Sequence, residues 1–244
     1  MTSGGSHPGS RPTTSDDTRG VLFDLGGVVL NSPFAAISEL ESEFALEANT
    51  INHVIGSSGE AGAFARLERG ELTASEFAGP FAEDCKRVGV SQSLNGSLLI
   101  SRIAQACTPR PLMVDALKVL QKEPGIRTAA VTNNFIMDGS TDFAGTQEIQ
   151  PLFDTLVESA LVRVRKPDPA IYRLACERLG VEPARCIFLD DIGRNLKPAQ
   201  AMGMQTIKCA LDDTSGARAL GKLATLLGGD VGRKLQAVLR LAKL

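Results

Sequence analysis

A chain of 244 residues with 26 Lys and Arg against 28 Asp and Glu carries a formal net charge of −2, so it has no basic surplus with which to hold nucleic acid. Its 43% hydrophobic and 22% charged residues are the mix of a globular protein long enough to bury a core without staples. No apolar run approaches the ~18 residues needed to span a bilayer, so neither nucleic acid nor a membrane is an expected partner.

In chain order, residues 1–19 are rich in Ser, Thr, Gly and Pro and lack the apolar stretch of a secretory signal, which reads as a disordered tail. The apolar run 21–25 follows and ends on Asp24-Leu25. After Asn31-Ser32-Pro33 the pattern turns helical, with candidate helices at 36–45, 61–69, 74–88 and 93–106 and no clear strand. Residues 34–109 are therefore expected to be a helical insert, closed by the second linker Thr108-Pro109-Arg110-Pro111. Beyond it, short apolar runs at 128–132, 156–158, 186–190 and 205–209 read as buried parallel strands. Helices are expected at 169–179, stopped by Gly180, and at 195–202, stopped by Gly203. At 231–244 Val231, Leu235, Val238, Leu239 and Ala242 form one amphipathic stripe. Strands alternating with helices imply an α/β fold, a doubly wound parallel sheet of Rossmann-like type built from 20–33 and 110–244, with the helical domain inserted between its first two strands.

Ligands of such sheets bind beyond the carboxyl ends of the strands, where unusual residues collect here. Asp24 is followed by Leu25-Gly26-Gly27, the second strand ends in Thr132-Asn133-Asn134, Lys166 precedes Pro167-Asp168-Pro169, and the fourth strand ends in Asp190-Asp191 with Asn195 shortly after. Carboxylates converging at strand ends repel one another, and a hard divalent cation such as Mg²⁺ would relieve that repulsion. Glycines let backbone approach an anion, while Thr132, the Asn133 N–H and Lys166 offer donors and positive charge to phosphoryl oxygens. A remaining carboxylate could then attack phosphorus. The five cysteines (Cys85, Cys107, Cys176, Cys186 and Cys209) form no CxxC pair and suit a reduced compartment. Two histidines, His7 and His53, argue against a His-centred hydrolase.

The segments FDLGGVVL, AAVTNNF, VRKPDPAIYRLACERLG and CIFLDDIGRNLKPAQAMGMQTI resemble the four motifs of the haloacid dehalogenase (HAD) superfamily of hydrolases. The subgroup most similar holds the N-terminal phosphatase domain of soluble epoxide hydrolase and the HAD-like domain of acyl-CoA dehydrogenase fusion proteins. The resemblance implies a Mg²⁺-dependent phosphatase of small phosphorylated metabolites acting through an aspartyl-phosphate. Asp24 takes the place of its nucleophile, Thr132 and Asn133 of the phosphate donors, and Lys166 of the lysine that steadies both. Asp24, the Gly26 carbonyl and Asp191 correspond to the metal ligands, with Asp190 and Asn195 in support, and the insert matches a helical cap that selects substrate.

Many phosphatases of the family carry an acid two residues after the nucleophile, and here that position is Gly26. Either the substrate has a good leaving group, or another acid serves, with Glu60, Glu68 and Glu71 as candidates, or the protein is a HAD-like module that binds a phosphorylated ligand or a protein. A 2-haloacid dehalogenase is a third alternative, disfavoured by Asp190-Asp191 because that chemistry needs no metal. No segment follows Leu244 to form the partner domains of epoxide hydrolysis or acyl-CoA oxidation, so neither is expected. A cytoplasmic location fits the composition, the alternative being peroxisomal through the terminal Ala242-Lys243-Leu244. Oligomeric state stays open, a homodimer being one option.

Overall fold

The computed structural model describes residues 17–90, 94–137, 139–141 and 146–242. The expected disordered tail lies almost wholly outside them, as do Lys243 and Leu244. Five parallel strands, β1 (Arg19–Phe23), β2 (Ile126–Thr132), β3 (Thr155–Glu158), β4 (Cys186–Asp190) and β5 (Gln205–Lys208), form one sheet in the order β3-β2-β1-β4-β5. The chain runs outward from β1 through β2 to β3, then returns to the other side of β1 for β4. The topological switch therefore lies between the carboxyl ends of β1 and β4, where an open α/β sheet places its ligands.

Strand side chains alternate between two cores, as the pleat requires. Val21, Phe23, Ile187 and Leu189 join one cluster, while Leu22, Ala129, Val131 and Phe188 join the other. The run expected at 21–25 is shifted two residues toward the N-terminus. Its ladder opens at Arg19↔Ile126, and Leu25 already begins a turn whose carbonyl accepts from the N–H groups of Val28, Val29 and Leu30.

The insert holds α1 (Phe34–Glu43), α2 (Thr50–Ser58), α3 (Ala63–Glu68), α4 (Ala78–Val88) and α5 (Gly96–Ala106). These helices enclose an apolar core of their own, including Ile51, Leu67, Phe77 and Phe81. Helix α2 escaped the periodicity reading because its cap comes from elsewhere. Glu41 is buried, and its carboxylate accepts from Asn49 N and Ile51 N, each at 2.8 Å, satisfying the orphan donors of the first turn. The linkers run side by side: Asn31 N donates to Thr108 O at 2.8 Å and Arg110 N to Val29 O at 2.9 Å.

After the insert come α6 (Pro111–Gln121), the short α7 (Thr146–Ile149) and α8 (Ser159–Val162), α9 (Pro169–Leu179), α10 (Gly193–Ala201), α11 (Ala217–Leu227) and α12 (Gly229–Leu241). Helix α6 starts with Pro111 at its first turn, where the missing N–H is harmless. Helices α6, α11 and α12 cover one face of the sheet, and α9 and α10 cover the other. The terminal stripe packs through Val231, Leu235, Val238 and Leu239, whereas Ala242 is exposed. Among the described residues no helix is long and apolar enough to cross a membrane.

Candidate active site

At the switch point, Asp24, Asp190 and Asp191 each place a carboxylate oxygen within 4.8 Å of the others, and all are buried. Asp24 N donates to Leu189 O at 2.8 Å, extending the β1–β4 contact just past the strand and fixing the residue's position. Lys166 Nζ stands 2.8 Å from both Asp24 Oδ1 and Asp190 Oδ2. The lysine is 1% exposed, and burial alone would lower its pKa; Asp190 and Asp24 outweigh that and raise it, so it stays an ammonium.

Asp190 and Asp191 are neighbours in sequence with opposite circumstances. Asp190 is saturated by protein donors: Ile192 N at 2.7 Å, both contacts of Asn195 Nδ2 at 3.1 Å, and Lys166 Nζ. Among the described residues, Asp191 receives no hydrogen bond from another side chain. Burial, then repulsion by Asp190, pushes its pKa up to about 6, with Lys166 working against them. Burial also raises Asp24, with Lys166 opposing and Asp190 and Asp191 adding to the rise. One ammonium among three carboxylates leaves negative charge that a hard divalent cation would balance. Asp24 Oδ1 is taken by Lys166 Nζ at 2.8 Å and Leu25 N at 2.6 Å, so among the described residues the oxygens that other residues leave open are Asp24 Oδ2 and those of Asp191. Asn195 Oδ1 nearby is buried without a hydrogen-bond partner among the described residues, an acceptor suited to a hydrated ion. The donor set thus fits Mg²⁺.

Thr132, at the end of β2, is 5% exposed and lines the same cavity as Asp24 and Asp191. Asn133 has a side-chain task that spacing could not reveal. Its Oδ1 accepts from Lys166 N at 2.8 Å and its Nδ2 donates to Lys166 O at 3.1 Å, pinning the backbone of the lysine. Asn134 does the same for the next loop, accepting from Ala160 N at 3.3 Å and donating to Glu158 Oε1 at 2.8 Å. Asn195 is buried, and its carbonyl accepts from Tyr172 OH at 2.6 Å, which holds the start of α10.

The glycine pair divides its labour. A Cβ on Gly27 would lie 2.1 Å from Asp191 Oδ2, and its φ of +72° is itself glycine's territory. Only glycine lets Asp191 come this close. A Cβ on Gly26 would meet nothing nearer than Pro33 Cδ at 3.6 Å, an ordinary contact. Arg110, buried in the second linker, donates from Nη1 to Gly27 O at 2.9 Å and ties the insert's hinge to this turn.

Above the strand ends lies a cavity of about 420 Å³, ordinary for a small-molecule site. Its floor is Asp24, Thr132, Lys166 and Asp191, and much of its roof is apolar, from Phe34, Ile37, Ile55, Phe64 and Ile103. Of the three glutamates singled out in the insert, only Glu68 lines it. Glu60 is 68% exposed in its side chain and pairs with Arg69 and Arg165, and Glu71 pairs with Arg69 and Arg66. Arg165 and Glu158 also line the cavity, and neither was singled out from the sequence. Arg165 directly precedes Lys166, which was the available signal. Glu158 closes β3 level with Thr132, visible only once the strands are registered.

The sequence profile of the haloacid dehalogenase-like hydrolases matches residues 18–203, and the chain belongs to that family. The acyl-CoA dehydrogenase family member 10 of Mus musculus is 35% identical over 213 residues, 86% of this chain and 19% of the mouse protein. The bifunctional epoxide hydrolase 2 of Sus scrofa is 33% identical over 81% of this chain and 37% of its own. The chain thus spans well under half of these two relatives. The sesquiterpene phosphatase astK of Aspergillus oryzae is 27% identical over 76% of this chain and 87% of its own. Among solved structures, a haloacid dehalogenase family enzyme of Bacteroides thetaiotaomicron, in complex with magnesium and inorganic phosphate, shares the fold. It has a TM-score of 0.54 and 19% identity, covering 78% of this chain and 93% of that one.

Proposed function

We propose that the protein is a Mg²⁺-dependent phosphomonoesterase that passes the phosphoryl group through Asp24, with the helical insert acting as a cap over the site. The observation that carries this reading is Lys166 Nζ lying 2.8 Å from Asp24 in a buried cluster of three carboxylates at the topological switch of the sheet. Lys166 aims the Asp24 carboxylate, favours its ionised form against the burial that raises its pKa, and supplies charge to the phosphoryl oxygens. Thr132 and the Asn133 backbone offer donors to the same oxygens. Asp24, Asp191 and the Gly26 carbonyl would hold the metal, which when bound supplies charge neutralisation and polarises the phosphoryl group. Asp190 and Asn195 keep Lys166 and the start of α10 in place.

Asp24 Oδ attacks phosphorus and the ester P–O bond breaks; water later cleaves the aspartyl-phosphate, returning the carboxylate. The apolar roof favours a small phosphate ester whose organic part is apolar, in line with the name of the Aspergillus relative. The test is phosphate release from p-nitrophenyl phosphate and from alkyl phosphates, with Mg²⁺ and with EDTA. Turnover that needs Mg²⁺ and drops at least ~10⁴-fold in Asp24→Asn is expected. Turnover that survives EDTA would point to the dehalogenase-like mode of Asp24 instead. No turnover on any ester or acyl phosphate, with phosphate still bound, would make the chain a binding module, the reading that Gly26 favours.

A further inference from the structure

Gly26 leaves the reaction without an obvious proton donor, and the insert supplies a carboxyl group at the site. Glu68 ends α3 and is 9% exposed. It lines the cavity shared by Asp24 and Thr132. Its recorded partners both fall on one oxygen: Arg165 Nη2 lies 2.6 Å from Oε2, and Asn133 Nδ2 lies 3.4 Å from the same atom. Oε1 has no partner among the described residues. Arg165 therefore anchors the group through a single oxygen and does not clamp it in the two-pronged way that would commit both to an ion pair. Arg165 is shared with Glu60 at 2.8 Å, which further weakens its hold on Glu68.

Resting on the phosphatase reading above, we propose that Glu68 is the general acid and base that Gly26 cannot be, delivered to the site by the cap. In the first step Asp24 Oδ bonds to phosphorus, the bond from phosphorus to the ester oxygen breaks, and its electron pair goes to that oxygen. The oxygen takes the proton from Glu68, leaving a neutral alcohol and a Glu68 carboxylate. In the second step water bonds to phosphorus, the P–O bond to Asp24 breaks, and the water's proton passes to Glu68. Inorganic phosphate leaves and both side chains return to their starting states.

The surroundings agree with this cycle. Burial raises the Glu68 pKa above its ordinary value, and Arg165 pulls it back without cancelling the rise. Lys166 and Arg194 are the other cations acting on it, and Arg69 lies beside it in sequence. Glu158, the other glutamate lining the cavity, is engaged by the core, where Asn134 Nδ2 donates to its Oε1 at 2.8 Å. The Glu68 tether also runs through Asn133, whose other contacts pin Lys166, so the acid is in register only when the cap is seated on the catalytic loops.

Leaving-group dependence distinguishes this role from a structural one. An alkyl phosphate needs a proton on its departing oxygen, whereas p-nitrophenolate leaves without one. Glu68→Gln, nearly the same size and still able to meet Arg165, is expected to lower kcat for an alkyl phosphate by ~10²–10⁴-fold. It should lower kcat for p-nitrophenyl phosphate by less than ~10-fold and flatten the decline of the alkyl-ester rate at high pH. The double variant Gly26→Asp with Glu68→Gln should regain alkyl-ester turnover, since position 26 has room for a side chain. Equal losses on both esters, or an unchanged pH profile, would overturn the assignment and leave Glu68 as a cap tether. A wild-type protein inert on p-nitrophenyl phosphate would overturn the phosphatase reading and this proposal with it. Activity abolished by Asp24→Asn but indifferent to Glu68→Gln would overturn the proposal alone.

Discussion

The two walls of the cavity are built on opposite principles. The core wall, at the ends of β1, β2 and β4, is polar, and nearly every group on it is committed. Asp190 accepts four contacts, Lys166 is shared between two carboxylates, and Asn133 is spent on the backbone of Lys166. The insert wall is apolar, its side chains held by packing, as when Phe64 meets Phe77 edge-on with centroids 6.0 Å apart. A preorganised charge constellation needs fixed partners, because each buried charge left alone costs several kcal/mol. An apolar wall is adjusted one methylene at a time, with ~1–3 kcal/mol of discrimination for each. On the proposed function, the contrast separates chemistry, placed in the core, from selection, placed in the insert. Glu68 and Arg165 are where the two meet.

Four substitutions would break or sharpen that division. The largest effect is expected from Lys166→Met, which leaves Asp24 and Asp190 buried with no cation between them. Unfolding by urea at pH 7 should show a loss of about 3–5 kcal/mol, and turnover should vanish. A loss below ~1 kcal/mol would show that the core wall is less tightly committed than its contacts imply.

Asp191→Asn works in the other direction. The carboxyl of Asp191 is raised from 3.8 to about 6, so the folded protein binds its proton more tightly than the unfolded chain does. Stability from this group is therefore fully present below about pH 4 and is lost as pH rises through about 6. Asparagine removes the penalty, worth about 3 kcal/mol above pH 6. In EDTA at pH 7.5 the variant should melt several degrees higher than the parent, with no difference near pH 4 and with Mg²⁺ no longer shifting Tm. A variant less stable than the parent in EDTA would mean that Asp191 is not strained by its neighbours.

On the insert wall, Phe64→Ala should raise KM for apolar phosphate esters by ~10-fold, about 1.4 kcal/mol, with little change in kcat. A fall in kcat of the same size would show that the roof takes part in positioning. The smallest effect belongs to Glu60→Ala. Its side chain is 68% exposed although it contacts Arg69 and Arg165, and surface pairs of this kind contribute less than about 1 kcal/mol. A larger change in Tm would mark the Glu60–Arg165 contact as a true latch between cap and core.

Sequence legibility was uneven on both sides of this boundary. In the core, the runs at 186–190 and 169–179 coincide with β4 and α9, because buried parallel strands are continuously apolar and a Pro start with a Gly stop punctuates the helix. In the insert, α3 is shorter than expected and α4 begins at Ala78 rather than residue 74. Helices α2, α6 and α11 were not anticipated as elements. Asn195 gained its support role from the family resemblance, yet the pairing of Tyr172 with its carbonyl crosses from α9 to α10 and has no local signature. Glu60, Glu68 and Glu71 looked equivalent in one dimension; Glu60 before α3 and Glu71 after it go to arginine pairs, while Glu68, the last residue of α3, is buried in the cavity.

The sequence by itself determined the alternation of strand and helix, the apolar runs that must be buried, and the residues at each strand end that could carry phosphoryl chemistry. These are properties of local composition and period, and they survive without knowing what lies opposite. Tertiary structure decided which of two adjacent aspartates is left open, why Gly27 must be glycine while Gly26 need not be, and which of three glutamates reaches the site. Each depends on groups far apart in sequence. Asp190 is saturated by Lys166, 24 residues away, and Glu68 is held by Asn133, 65 residues away. Whether a carboxyl group stays open, paired or protonated is set by burial and by the charges packed against it, and no local pattern records those.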